Sequence, residues 1–149
     1  MTTSHPRGGV PDGTKVADPV TARMIMSSPV LTVSPDASPW SAWTLMIEHG
    51  VRHLVVVAGG HCVGVLDDRE VFAQWPVGPL ALRRQRIAGM IRPRTSCVLA
   101  DADVRQVALV MVQDRVDAVP VVDEAGDVIG VVTGEDVARA VARWGLYDA

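Results

Sequence analysis

The second half of this chain repeats the first at an offset of 65 to 66 residues, and a duplicated unit must fold twice by the same rules. Met24-Ile25 aligns with Met90-Ile91, Val33-Ser-Pro-Asp36 with Val98-Leu-Ala-Asp101, and Leu45-Met46 with Val110-Met111. Further on, Leu54-Val-Val-Val57 aligns with Val119-Pro-Val-Val122, and Gly64-Val65 with Gly130-Val131. The offset changes twice by one residue, both times in stretches that read as loops.

Each copy reads as β-α-β-β-α. In the first, Val30–Val33 is expected as a short strand, and Pro35-Asp36-Ala37-Ser38 supplies a turn and an N-cap. A helix is predicted over Pro39–His49, with Ala42, Leu45 and Met46 at the spacing of one buried face and Gly50 suited to a left-handed end. Strands over about His53–Val57 and Val63–Leu66 follow, joined by Ala58-Gly-Gly-His61, and then a helix from about Asp68 to Gln74. The second copy repeats the order: strand Cys97–Leu99, a helix capped by Asp103, strands Ala118–Asp123 and Val128–Thr133, and a closing helix over about Glu135–Arg143. At roughly 50 ordered residues neither copy alone would bury enough apolar surface, so the two are expected to pack together through their sheets.

Hydrophobic residues make up 48% of the 149, which is ample for a core, yet aromatics supply only 4%, so that core is expected to be aliphatic and rich in β-branched side chains. Residues 1–20 are rich in Gly, Pro, Ser, Thr and Asp and read as a mobile tail. Domain boundaries are expected at 21–74 and 87–149, with 75–86 as a linker carrying the basic run Arg83-Arg84-Gln85-Arg86. A net charge of −3 gives no general attraction to polyanions, and nucleic acid is not expected as a partner. The N-terminal stretch lacks the continuous apolar run of a signal peptide and no segment approaches the length of a membrane span, so a cytoplasmic protein is expected. Cys62 and Cys97 match neither a disulfide framework nor a Cys-x-x-Cys spacing and read as reduced core thiols.

The repeated pattern resembles the CBS domain family, named after cystathionine β-synthase. The residues that carry the resemblance are Met24-Ile-Met-Ser-Ser-Pro-Val-Leu-Thr-Val33, Met46 ahead of His49-Gly50-Val51-Arg52-His53-Leu54, Gly64-Val65, Val119-Pro-Val-Val-Asp123, and Gly126 through Asp136. It covers residues 21 to 144. The resemblance implies an α/β (α+β) fold of two units packed about a pseudo-twofold axis with clefts between them, further assembly into a homodimer, and a regulated partner protein. It also implies an adenosine-type ligand, AMP, ADP, ATP or S-adenosylmethionine, bound as a regulatory signal with no required cofactor.

Within that frame Thr133, Gly134 and Asp136 stand where a strand meets a helix. Backbone N–H groups there favour an anion, Thr133 could add a hydroxyl donor to a phosphate, and Asp136 could accept both hydroxyls of a ribose. The alternative is that Thr133 and Asp136 only cap the helix. In the first copy Asp67 and Glu70 occupy the same places; Asp67 beside a phosphate would repel it by about 4 kcal/mol for unit charges about 4 Å apart at an effective dielectric near 20. That half-site is therefore expected to be weak. Arg52 and His53 are candidates to answer a phosphate, their second-copy counterparts being Asp117 and Ala118; a solvated edge residue and a satisfied hydrogen bond are the alternatives. By analogy Val119, Pro120, Val121, Cys97 and Val98 would line an adenine pocket, unless they are only core.

An enzyme needs a nucleophile with its base, paired carboxylates or clustered metal ligands; no phosphate-cradling glycine motif occurs, and Asp67-Asp68 with Glu70 could bind a hard cation but reads as a solvated helix start, so no enzyme is expected. His49 and His53 straddle Gly50 and should not share a helical face as zinc ligands, and no metal is expected. The rival reading is a dimerising interaction module that needs no ligand, suggested by Trp40, Trp43, Trp75 and Trp144 in so aromatic-poor a chain.

Overall fold

The computed structural model describes residues 18–91 and 96–145. In chain order they form helix α1 (Ala22–Ile25), strand β1 (Thr32–Val33), helix α2 (Pro39–His49), strands β2 (His53–Ala58) and β3 (His61–Asp67), and helices α3 (Asp68–Ala73) and α4 (Pro79–Arg84). The second copy supplies β4 (Val98–Leu99), α5 (Val104–Asp114), β5 (Ala118–Val122), β6 (Val128–Thr133) and α6 (Gly134–Trp144). The two copies build separate sheets, ordered β1-β2-β3 and β4-β5-β6, each with one parallel and one antiparallel pair.

Local chemistry sets the element boundaries. Ser38 caps α2 by accepting from the Ser41 N–H at 3.1 Å, Pro39 takes the first helical position, and Gly50 closes the helix at φ 63°. In the second copy Asp103 and Gln106 form a reciprocal capping box on α5. The β2–β3 hairpin turns through Gly59 and Gly60, both at positive φ, which suits the tight turn between antiparallel strands. The first strands are shorter than expected: only Thr32–Val33 and Val98–Leu99 pair.

Packing joins the copies by exchange. The core of the second copy, built on Val98, Val107, Val119, Val121 and Val132, also contains Ala22, and Ile25 and Met26 pack against it. Ala22 donates its N–H to the Ala102 carbonyl at 2.8 Å, Arg23 to Ala100 at 2.9 Å, and Ser27 exchanges two backbone hydrogen bonds with Val131. The reverse holds for the first copy, whose core of Ala42, Met46, Leu54, Val56, Leu66 and Val71 includes Ile87, with Met90 and Ile91 packed on it. Ile87 and Ala88 donate to the carbonyls of Ala37 and Pro35. The segment leading into each copy is thus held by the other, a reciprocity that a pseudo-twofold axis requires.

One expectation changes. Residues 1–17 of the expected tail lie outside the described residues, but Val20 is buried with Val104 and Ala140, so order begins ahead of residue 21. The linker 75–86 contains a 3-10 turn (Trp75–Val77) and α4, which packs on α2 with Leu82 fully buried. Arg83 lies over the Trp40 ring at 4.8 Å, and Arg86 pairs with Asp36 at 3.2 Å, which accounts for the basic run as a solvated helix face.

The exchanged segments land on glycines. A Cβ on Gly130 would press into the Met26 side chain, whereas one on Gly64 would meet Ile91 at 3.4 Å. Gly130→Ala is expected to destabilise the fold by about 1–3 kcal/mol, the usual cost of overpacking, and Gly64→Ala by less. Adding Met26→Ala to the Gly130→Ala chain recovers part of the loss. Urea denaturation of the three variants checks this.

Candidate functional site

A cleft of about 420 Å³ lies between the copies, where the beginning of β2 faces the junction of β6 and α6. Its second-copy wall is Val131, Thr133, Gly134, Glu135, Asp136 and Arg139, with Asp117 at the beginning of β5. The first copy contributes Gly50, Val51, Arg52 and His53, together with Ser27 from the exchanged segment. Thr133, Gly134, Asp136, Arg52 and His53, five of the residues singled out in the sequence, therefore share one cavity.

At the helix start the polar groups satisfy each other. Asp136, its side chain nearly buried, accepts from the Thr133 N–H at 2.8 Å and from the Thr133 hydroxyl at 3.0 Å. The Thr133 oxygen in turn accepts from the Asp136 N–H at 3.4 Å. This is a capping box, so capping is a real role of the pair. The hydroxyl proton is already used, and a phosphate could take it only if the Thr133–Asp136 side-chain bond opened. Asp136 also lies 3.7 Å from Arg139, which is drawn outward by Glu135 at 2.6 Å.

Across the cleft a charge bridge ties the copies together. His53 Nε2 lies 3.0 Å from Asp117 Oδ1, and Arg69 lies 3.1 Å from Asp117 Oδ2. Partial burial works against ionisation of Asp117, but the His53 hydrogen bond and the charges of His53 and Arg69 outweigh it and hold the carboxyl below its ordinary value. Arg52 is exposed and makes no ion pair among the described residues.

The other expected residues lie elsewhere. Asp67 caps α3, accepting from the Glu70 N–H at 2.7 Å, and Glu70 sits in the first turn of that helix; neither lines this cleft. Val119 belongs to the second copy's core, because strand alternation sends 119 and 121 inward, and Pro120 is buried opposite Val131 on the neighbouring strand. Cys97 is exposed ahead of β4. The adenine pocket expected from Val119, Pro120 and Cys97 is thus not part of this cleft. Sequence reasoning missed Ser27, Glu135 and Arg139 as cleft residues. Arg139, one helical turn beyond Asp136, carried a readable signal; Ser27 arrives by exchange and carried none.

A second hollow, of about 460 Å³, adjoins the first and shares Asp136 and Arg139 with it. Its other walls include Met24, Ile25, Ala140 and Trp144, with Arg143 lying 4.9 Å over the Trp144 ring. Asp136 therefore stands on the wall shared by the two clefts. Among the described residues no group of three or more His, Cys, Asp or Glu is placed to hold a metal ion, and no helix is long and apolar enough to cross a membrane.

A family model for the CBS domain matches residues 22–74 and again 87–143. Over 117 residues, 77% of this chain, the sequence is 30% identical to an L-aspartate semialdehyde sulfurtransferase of Methanocaldococcus jannaschii, and over 109 residues it is 33% identical to an inosine-5'-monophosphate dehydrogenase of Korarchaeum cryptofilum. The matched part is only 22% and 21% of those two proteins, so the chain corresponds to about a fifth of each. Among solved structures, a CBS domain pair in complex with 5'-methylthioadenosine and S-adenosyl-L-methionine superposes with a TM-score of 0.73 at 27% identity, covering 83% of this chain and 97% of that one.

A carboxyl held below its ordinary value stabilises the fold above the ordinary aspartate range and loses that contribution as pH falls through the lowered value. Asp117→Asn is expected to lower the thermal midpoint by about 1–3 °C near pH 6, with the gap closing as the solution is acidified below the ordinary aspartate range. Scanning calorimetry across that range reads it; a gap that does not change with pH would mean that His53 and Arg69 do not hold the carboxylate.

Proposed function

This chain belongs to the CBS domain family, carrying two copies in tandem, and from that premise we propose that it is a regulatory module, not an enzyme, which binds an adenosine-type ligand between its copies. The observation that carries the reading is the position of Asp136, at the start of α6 and on the wall shared by the two adjoining hollows. A carboxylate there can accept both ribose hydroxyls, and its box with Thr133 already fixes its orientation. The adenine then lies towards Met24, Ile25 and Trp144, where an indole face offers stacking. The rest of the ligand extends over the Gly134 N–H and towards Arg52 and His53.

Two features favour one strong site over two. The first copy has Asp67 where the second has Thr133, and Arg52 and His53 have Asp117 and Ala118 as counterparts. Ligand binding between the copies stabilises one relative arrangement, and a partner protein reads that arrangement; the shift is limited to the ligand's preference for it.

Calorimetric titration with AMP, ATP and S-adenosylmethionine tests the reading. Asp136→Ala is expected to weaken whichever ligand binds by about tenfold or more, the loss of hydrogen bonds to a charged group, with circular dichroism confirming that α6 still forms. Arg52→Ala weakens the phosphate-bearing ligands and spares S-adenosylmethionine. Affinity indifferent to Asp136 would remove the site, and turnover of any of the three would overturn the non-enzymatic reading.

A second reading rests on the aromatic cluster. Trp40, Trp43, Phe72 and Trp75 pack ring to ring, with centroids 5.3 to 6.5 Å apart, yet Phe72 and Trp75 remain 49% and 41% exposed beside exposed Ile47 and Leu80. Such a face fits a homodimer contact. Sedimentation velocity of the chain and of a Phe72→Asp variant separates the cases: a dimer that the substitution converts to monomer supports it, and a monomeric parent chain removes it.

A further inference from the structure

Asp117, immediately ahead of β5, holds three donors around the cleft. Its backbone carbonyl accepts from the Gly134 N–H at 2.9 Å, its Oδ1 lies 3.0 Å from His53 Nε2, and its Oδ2 accepts from Arg69 at 3.1 Å. Gly134 and His53 line the cleft with it, while Arg69 lies on α3 and also reaches Asp67 at 3.4 Å. A carboxylate only accepts, so His53 turns its Nε2–H to Asp117.

Other donors of the cleft are spent as well. The Thr133 N–H and hydroxyl are given to Asp136, and Arg139 lies 2.6 Å from Glu135 and 3.7 Å from Asp136. Among the described residues lining the cleft, Arg52 and Arg139 face the carboxylates of Asp117, Glu135 and Asp136, so carboxylates outnumber arginines. Position 117 is also where the repeat reverses its charge, because its first-copy counterpart is Arg52.

We propose, resting on the reading of the cleft as an adenosine site, that Asp117 is a specificity-determining residue. Its carboxylate, seated on His53 and Arg69, turns away ligands that carry a 5'-phosphate and leaves the cleft to adenosyl ligands whose 5' group is uncharged or cationic. The physical basis is competition between two anions. One N–H serves one acceptor at full strength, so a phosphate that takes His53 must displace the Asp117 carboxylate. If the carboxylate stays, the phosphate shares His53 with a second negative charge, and that repulsion exceeds what the exposed and solvent-screened Arg52 returns. Partial burial notwithstanding, the His53 hydrogen bond and the charges of His53 and Arg69 hold Asp117 below its ordinary value, so it is charged at neutral pH. An uncharged 5' group meets no such cost, and a cationic one is attracted.

The test compares AMP with adenosine, from which it differs only by the phosphate, and with S-adenosylmethionine. Calorimetry is run on the full chain and on Asp117→Ala and Asp117→Asn at low ionic strength, where charge effects are least screened. The parent chain is expected to bind adenosine and S-adenosylmethionine more tightly than AMP. Each substitution improves AMP by about tenfold, Asp117→Ala the more, and improves neither of the others. Adding His53→Ala to Asp117→Ala cancels the gain. The Asp117 side chain is 53% exposed, so both variants are expected to fold, and circular dichroism checks it.

A second arm needs no nucleoside. Pyrophosphate alone raises the thermal midpoint of Asp117→Ala more than that of the parent chain, and the difference disappears when His53→Ala is added. A parent chain that prefers AMP to adenosine, an AMP gain matched by adenosine, or a gain that survives the loss of His53 would overturn the proposal. So would pyrophosphate that stabilises the parent chain and Asp117→Ala alike. If no adenosyl compound binds, the reading of the cleft falls, and the pyrophosphate arm still decides whether Asp117 excludes phosphate.

Discussion

The structure depends on an exchange of short segments. Neither copy covers its own sheet: the residues leading into the first copy pack on the second, and those leading into the second pack on the first. Units this small bury too little apolar surface to offset the entropy of ordering their chains, so each borrows from its neighbour. Because the loan is mutual, neither core is complete without the other, and the two sheets are held in one relative placement. The backbone bonds of Ala22, Arg23 and Ser27 to the second copy, and of Ile87 and Ala88 to the first, give that placement direction as well as adhesion. The close approach of Met26 to Gly130 and of Ile91 to Gly64 explains why the duplicated strand has no side chain at that point in either copy.

From this placement the cleft follows. Once the copies face each other, the beginning of β2 lies opposite the junction of β6 and α6, and groups distant in sequence, Arg52 and His53 on one side and Thr133 and Asp136 on the other, share one cavity. The two halves have diverged in charge. Where the first copy presents Arg52 and His53 the second presents Asp117, and His53 and Asp117 pair across the seam. The helix starts have diverged too. Asp67 is committed to capping α3 and would add a negative charge beside any phosphate, while Thr133 caps α6 with a neutral hydroxyl. Capping and binding are compatible at Thr133 and Asp136, because a box that orients a carboxylate in the free protein leaves less to be ordered when a ligand arrives.

The local fold was legible because it follows from short-range rules. Pro39–His49 has its N-cap serine, its proline at the first helical position and its closing glycine all within a few residues, and its boundaries match the structure. Val128–Thr133 and the capping role of Asp103 were readable for the same reason. The first strands were read too long, since apolar residues such as Val30 and Leu31 suggest pairing that only a neighbouring strand can grant. Among cleft residues, those attached to a local signal, Thr133 and Asp136 at a strand-to-helix junction, were found. Val119 and Pro120 do not line this cleft, and an apolar strand does not reveal which of its faces meets a helix and which meets another sheet.

Sequence alone therefore determined the duplication, the order of elements, the family resemblance and the chemistry available at each helix start. All of these are properties of neighbours along the chain or of the repeat itself. Tertiary structure decided what lies across the gap: that Ser27 and Met24 belong beside the second copy's helix, and that His53 meets Asp117. The reason is geometric. Contacts between copies depend on how two packed surfaces are oriented, an arrangement set by many weak apolar contacts summed over both cores, and no window of sequence carries that sum.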